Sequence, residues 1–191
     1  LDRVIAAYRR ATGAAPMFPR WAWGFWQCRE RYQTQAELLG VLEEYRRRGT
    51  PLDGIIQDWF YWAPDPWGSH HFDPSRYPDP TGMVRQVHER NAHLMISVWA
   101  KFEPGSDNYR ELERRGLLYT PGGTSYYDAF SPEGRKVYWR QISDALFSRG
   151  VDAWWLDASE PEDAAFFDYG EDRGVMTAEG PAARVLNAYP L

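Results

Sequence analysis

Two carboxylates, Asp157 and Glu160, follow a short apolar stretch that runs from Val151 to Leu156 with Asp152 as its one polar residue. The stretch is entered from Arg149-Gly150 and closed by Pro161, the pattern of a buried parallel strand. An acid released at the C-terminal end of such a strand can attack a carbon, carry a proton or hold a hydroxyl. Catalytic groups of a parallel α/β barrel gather at that face. The same Asp157 could instead do no more than cap the following turn. A second apolar run, Leu52 to Gln57, also ends in an acid, Asp58, so two strands deliver carboxylates to one end. Asp58 has a plainer reading too, as the ion-pair partner of an arginine at the barrel rim. His70 and His71 suggest a metal at first sight, yet adjacent side chains on an extended segment point opposite ways. No further His or Cys stands nearby at ligand spacing, so neither a metal nor a cofactor is expected.

The run Trp154-Trp155-Leu156-Asp157-Ala158-Ser159-Glu160-Pro161 resembles the nucleophile signature of glycoside hydrolase family 31. In that signature an aromatic-rich strand runs into an Asp followed three residues later by Glu. Many family members carry Met-Asn or Phe-Gly between the acids, whereas Ala158-Ser159 resembles more the bacterial α-xylosidase and transglucosylase branches. The resemblance implies that Asp157 is the nucleophile of a retaining α-glycoside hydrolase and carries a covalent glycosyl-enzyme intermediate, with Glu160 supporting and orienting the site. It matches Asp58 to the acid that hydrogen-bonds hydroxyls of the sugar in the −1 subsite. It also matches Trp99 to a Trp that packs on that sugar, although a Trp packed at the rim would read the same. Retention needs a second carboxyl group about 5 to 5.5 Å from the nucleophile. The family supplies that acid/base from a later strand, expected beyond Leu191, so Glu162, Asp163 and Asp168 are not assigned the role. An α-xyloside or α-glucoside is the implied substrate. Trp155 or Trp26 could fill the space that the C6 hydroxymethyl of glucose needs. An α-transglycosylase and a non-catalytic carbohydrate-binding barrel remain as alternatives.

Several elements must position these residues. Val4, Ile5, Tyr8 and Ala11 at helical spacing, stopped by Gly13, predict a lead-in helix over 2–12. The proline-containing segment to Arg20 then reads as a linker from a preceding domain. Trp21 to Gln27 reads as the first barrel strand, with Cys28 to Tyr32 as the loop at its C-terminal end, where the family has a similar Gly, Gln, Arg, Tyr pattern. Thr34 and Glu37 form a capping box before Leu38, Leu39, Val41, Leu42 and Tyr45. Residues 59–80 read as a loop over the mouth, 82–91 as a helix, and His93 to Trp99 as the third strand. A charged helix follows Glu103, Tyr126 to Phe130 is a short extended piece, and Ser131 opens a long helix that leads to the strand ending at Asp157. Strands alternating with helices predict parallel strands and crossovers, hence an α/β fold, a partial (β/α)8 TIM barrel of roughly the first four strand-helix units. Residues 1–20 are then the lead-in, and 21–191 the N-terminal half of the barrel, since a whole one takes about 250 residues.

Composition narrows the classes. A net charge of −5 with mixed signs offers no basic footprint for nucleic acid and no polybasic run for an anionic membrane. No apolar run approaches the roughly 20 residues of a membrane span, and the first residues hold no apolar core of a secretion signal. The lone Cys28 has no partner for an internal disulfide. Ten Trp and 12 Tyr suit a cleft that stacks on sugar rings, although large aromatics also fill cores. A β-sandwich carbohydrate-binding module would share these aromatics but not the long helices. A metal-dependent hydrolase barrel would need more ligands at spacing. A carbohydrate is the expected partner.

Overall fold

The computed structural model describes residues 1–120, 124–159 and 176–181. Its centre is a four-stranded parallel sheet in the order β1 (Trp26–Gln27), β2 (Gly54–Gln57), β3 (His93–Trp99) and β7 (Ala153–Asp157). Helices α2 (Gln35–Arg47), α3 (Pro80–Glu89) and α5 (Pro132–Ala145) connect these strands. This is the run of strand-helix units expected of the first part of a TIM barrel.

Each crossover helix starts where its capping chemistry says it should. The Thr34 hydroxyl accepts from the Glu37 N–H (3.1 Å), and the Glu37 carboxylate accepts from the Gln33 N–H (2.7 Å). Asp79 accepts from the Gly82 N–H with Pro80 at the first helical position, so α3 opens two residues earlier than the apolar pattern implied. Ser131 caps α5 through the Gly134 N–H. Each cap contributes about 1 kcal/mol. A shorter helix, α4 (Asp107–Arg114), is capped the same way by Ser106. The lead-in helix α1 (Asp2–Thr12) forms as expected and buries none of its residues.

The sheet has two unlike faces, set by the period of two along each strand. On the outer face Ile55, Leu94, Ile96 and Val98 pack with Leu38, Leu42, Met83, Val84 and Val87 of α2 and α3 in one cluster, all of them buried. A fully buried aliphatic side chain of this size contributes about 1.5 to 3 kcal/mol, so this layer fixes the sheet. On the inner face Ile56, Met95 and Ala153 stay only half-buried. That is the face a closed barrel would turn inward.

The first strand is shorter than Trp21 to Gln27. Arg20–Trp23 closes a 3-10 turn in which the Gly24 N–H reaches Trp21 O (3.2 Å), and pairing begins only at Trp26, opposite Gly54. The Trp21 ring leaves the strand direction to stack on His93 at 4.0 Å. Asp53 fills the space beside Gly24, where a Cβ would come within 2.0 Å of its carboxyl, and accepts the Phe25 N–H. A run of aromatics without alternation does not fix where a ladder starts. Two small antiparallel sheets were also not foreseen: β4 (Lys101–Phe102), β6 (Ser125–Tyr127) and β5 (Leu118–Tyr119) in that order, and the pair β8 (Met176–Thr177) with β9 (Gly180–Pro181). Asp128 ties the second to the first by accepting the Ala178 N–H (2.7 Å).

Candidate active site

The register of the central sheet decides which candidates meet. Asp157 is the last residue of β7 and pairs with Trp99, the last of β3. Trp155 pairs with Ser97, and Ile56 of β2 with Met95, so Asp58, two residues beyond Ile56, ends on the same inner face. Trp154 points the other way and packs against Trp139 of α5 and Phe147 after it (5.8 and 6.5 Å between ring centres). Trp155 and Asp157 therefore share the inner face with Asp58 and Trp99.

The turn after the strand is bent sharply. Ala158 has φ +47, a left-handed conformation rare for a residue with a Cβ, and its N–H bonds Asp157 Oδ1 at 2.9 Å. Strain of this kind, of order 1 to 3 kcal/mol, persists where the surroundings hold a residue in place. Here it fixes the carboxylate against its own strand end.

Asp58 is buried, and its Oδ1 accepts the Trp59 N–H at 2.7 Å. Burial lifts its carboxyl above the usual range, the Trp59 N–H opposes that rise, and the negative charge of Asp157 raises it further. The two acids thus feel each other across the inner face. Among the described residues no arginine forms an ion pair with Asp58, although Arg31 lies close enough to lower it slightly. The loop after β1 borders the same spot: burial pushes the Cys28 thiol up, and Asp58 adds to the rise.

Trp99 sits in an aromatic wall. Its ring meets Trp67 at 4.4 Å edge to face, and Trp67 stacks on Trp59 at 5.3 Å with the planes 8° apart. The Trp99 Nε1 is buried without a hydrogen-bond partner, and its carbonyl accepts the Tyr138 hydroxyl (3.0 Å). Arg31 lies 5.0 Å over Trp59 and Lys101 lies 4.8 Å over Trp67, placing cations on the outer aromatic faces. Beside this wall runs an open groove of about 560 Å³ lined by Trp59, Trp62, Trp67 and Glu103 among others. Trp59 and Trp67 were legible only as members of a proline-rich loop. Their density of large rings next to Asp58 was the available signal.

Trp26 does not join the acids. It lies over Gly54, where a Cβ would come within 2.2 Å of its ring, four residues before Asp58 on the neighbouring strand. That separation is about 13 Å along the strand. Glu160 lies outside the described residues, as do 162–175 and 182–191. His70 and His71 part company as expected of neighbours. His70 is buried between Phe102 and Tyr138, while His71 pairs with Asp65.

Residues 15–191 match the family described as glycosyl hydrolases family 31, TIM-barrel domain. The chain is 39% identical to an α-xylosidase of Saccharolobus solfataricus, over all of this chain and 26% of that protein. It superposes on the crystal structure of a family 31 α-xylosidase from Xanthomonas citri with a TM-score of 0.92 at 44% identity, covering all of this chain and 22% of the other. A family 31 α-xylosidase from a soil metagenome, crystallised with xylose, gives 0.87 at 36% identity over 96% of this chain and 28% of its own. The chain therefore spans about a quarter of the length of these relatives. No helix among the described residues is long and apolar enough to cross a membrane.

Proposed function

The chain belongs to glycoside hydrolase family 31, and from that membership we propose that the protein containing it cleaves α-linked xylosides with retention of configuration. The observation that carries the reading is the meeting of Asp157 and Asp58 on one face of the sheet, in register with Trp99 and Trp155. Asp157, held at the bent strand end by the Ala158 N–H, attacks the anomeric carbon and forms a covalent glycosyl-enzyme. A carboxylic acid from a later strand protonates the leaving oxygen and afterwards draws a proton from water, which releases the sugar. Asp58 binds sugar hydroxyls. Its carboxylate accepts from them, with Oδ1 already oriented by the Trp59 N–H. Glu160 orients the nucleophile. Residues 1–20 form the lead-in from a preceding domain, and 21–191 the N-terminal half of the barrel.

Xylose is preferred over glucose because Trp155 stands two residues before Asp157 on the same face, where its bulk would meet a C6 hydroxymethyl group. Trp26, four residues from Asp58 in register, is the weaker choice. The α-xylosidases among the relatives support the same preference. Rates of the whole protein on p-nitrophenyl α-xyloside and α-glucoside test it, and a clear glucoside preference would overturn the choice of sugar. Asp157→Asn should lower kcat on either substrate on the order of 10⁴-fold or more while leaving the unfolding temperature nearly unchanged. Near-normal turnover of that variant would remove Asp157 from the nucleophile's role.

A further inference from the structure

At the opposite end of the sheet from the carboxylates, three potential metal ligands converge from segments far apart in sequence. His88 ends α3, His93 opens β3, and Asp152 precedes β7. One donor atom from each lies within 4.8 Å of the others. His88 Nε2 is 2.8 Å from Asp152 Oδ2, across 64 residues of chain, and His93 Nδ1 is 3.2 Å from Asp152 Oδ1. We propose that His88 Nε2, His93 Nδ1 and the Asp152 carboxylate form a structural binding site for a borderline divalent transition cation, Zn²⁺ in the first place.

Three features support it beyond the grouping. First, His93 Nδ1 is buried and has no aligned hydrogen-bond partner, despite its 3.2 Å approach to Asp152. An imidazole nitrogen in that state loses a bond to water and gains none, a deficit that a metal bond would remove. Second, the ligands are already held. Asp152 Oδ2 accepts the Leu94 N–H (2.8 Å), and the face of the His93 ring is held by Trp21 at 4.0 Å with its Nδ1 toward Asp152. Outer contacts of this kind fix the orientation of metal-binding carboxylates and imidazoles. Third, there is a way in, because the His88 side chain is 40% exposed.

The donor set chooses the metal. Two imidazole nitrogens and one carboxylate oxygen suit Zn²⁺, with Cu²⁺ and Ni²⁺ as competitors, and do not suit Mg²⁺ or Ca²⁺, which want oxygen alone. Tetrahedral Zn²⁺ with bonds of about 2.0 to 2.1 Å needs its ligand atoms roughly 3.3 Å apart, which the 3.2 Å His93–Asp152 pair meets and the 2.8 Å His88–Asp152 pair, on the other carboxylate oxygen, reaches by opening slightly. A turn of the exposed His88 ring brings the third pair into range and leaves a fourth position for water. The site would clasp α3, β3 and β7 together at the end of the barrel associated with stability. Asp152 and Asp157 are five residues apart, about 16 Å along the strand, so the ion would take no part in the chemistry at the other end.

The test uses the whole protein, stripped with EDTA and titrated with ZnCl₂ by calorimetry and by thermal unfolding. One Zn²⁺ per chain should bind and raise the unfolding temperature, and MgCl₂ should not reproduce the shift. His88→Ala, at an exposed helix end, and His93→Phe, which keeps the stack on Trp21, should each weaken binding at least about tenfold, with activity on the aryl xyloside unchanged. Cys28→Ser and Asp157→Asn should bind Zn²⁺ as the wild type does. Should a histidine variant fail to fold, the visible d–d spectrum of Co²⁺ bound to the wild type reads the ligand set directly, and an octahedral spectrum would count against the site. No saturable heat at about 100 μM Zn²⁺ would overturn the proposal. So would binding that survives both histidine substitutions, or binding lost with Cys28→Ser or Asp157→Asn.

Discussion

Gly54→Ala should destabilise the protein when Trp26 is present and stabilise it when Trp26 is gone. An ideal Cβ at Gly54 comes within 2.2 Å of the Trp26 ring, far inside van der Waals contact. Trp26 is held there because it is one of the two residues of β1 and pairs with Gly54 itself. The ring has to swing off, or the two strands have to part. Overpacking of this kind costs about 1 to 3 kcal/mol. Gly54 is not among the glycines with positive φ, so its backbone accepts alanine without strain. Loss of a glycine from the unfolded chain then contributes about 0.4 to 1 kcal/mol in favour of the fold. In a Trp26→Ala background the space is vacant and only that favourable contribution remains. The effect of Gly54→Ala therefore changes sign between backgrounds, and the coupling energy equals the overpacking cost, about 1 to 3 kcal/mol, because the unfolded-state contribution cancels. Equilibrium denaturation of the whole protein, read on the four members of the cycle, measures it. Effects that add to within about 0.5 kcal/mol would mean that Trp26 does not rest on Gly54 and that β1 is registered wrongly.

Two further predictions concern ionisation. Asp58→Asn should raise the unfolding temperature at pH 7 and lower kcat/KM for the xyloside. The folded carboxyl is raised above its unfolded value, chiefly by burial, so its ionised form costs stability above the folded pKa, and that cost fades as pH falls to the unfolded value. The advantage of asparagine should shrink in acid, and a lower unfolding temperature at pH 7 would contradict the account. His70 runs the other way. Burial, with a smaller push from His71, takes it down to about 3, so between roughly pH 6.5 and that value the unfolded chain binds the extra proton. Stability should fall as pH drops through this window by up to about 1.4 kcal/mol per pH unit from this one group. His70→Leu should flatten the acid limb of unfolding temperature against pH, and an unchanged slope would place the acid sensitivity elsewhere.

What the sequence revealed of the fold follows the strength of its local periods. Leu94, Ile96 and Val98 are all buried on the outer face of their strand, so the apolar run announces itself, and Thr34 with Glu37 announces the helix start by chemistry that acts over three residues. The strands of β4, β5, β6, β8 and β9 are two or three residues long, too short for a period of two to register. They exist because longer segments bring their ends together. The stretch from Trp21 failed for a related reason: its aromatics all look apolar, yet one stacks on His93, another lies on Gly54, and no alternation records which does what.

The two ends of the sheet differ in the same way. Asp58 and Asp157 were legible because each terminates an apolar run, and strand polarity alone sends both to one end; register then adds that they share a face. Asp152 interrupts the very run that announces Asp157, and taken alone it is a blemish in an otherwise apolar strand. Its meaning depends on His88 and on the Leu94 N–H, 64 and 58 residues away, and no local pattern carries contacts of that range. A half-buried carboxylate retained at the entrance of a strand needs partners to offset its desolvation, and here the partners are one backbone amide and two imidazoles. An amide alone would satisfy one oxygen. His88 shares that oxygen and His93 Nδ1 faces the other without an aligned hydrogen bond, and this unpaired buried nitrogen is the reason to load the protein with Zn²⁺ before treating this end of the sheet as scaffold.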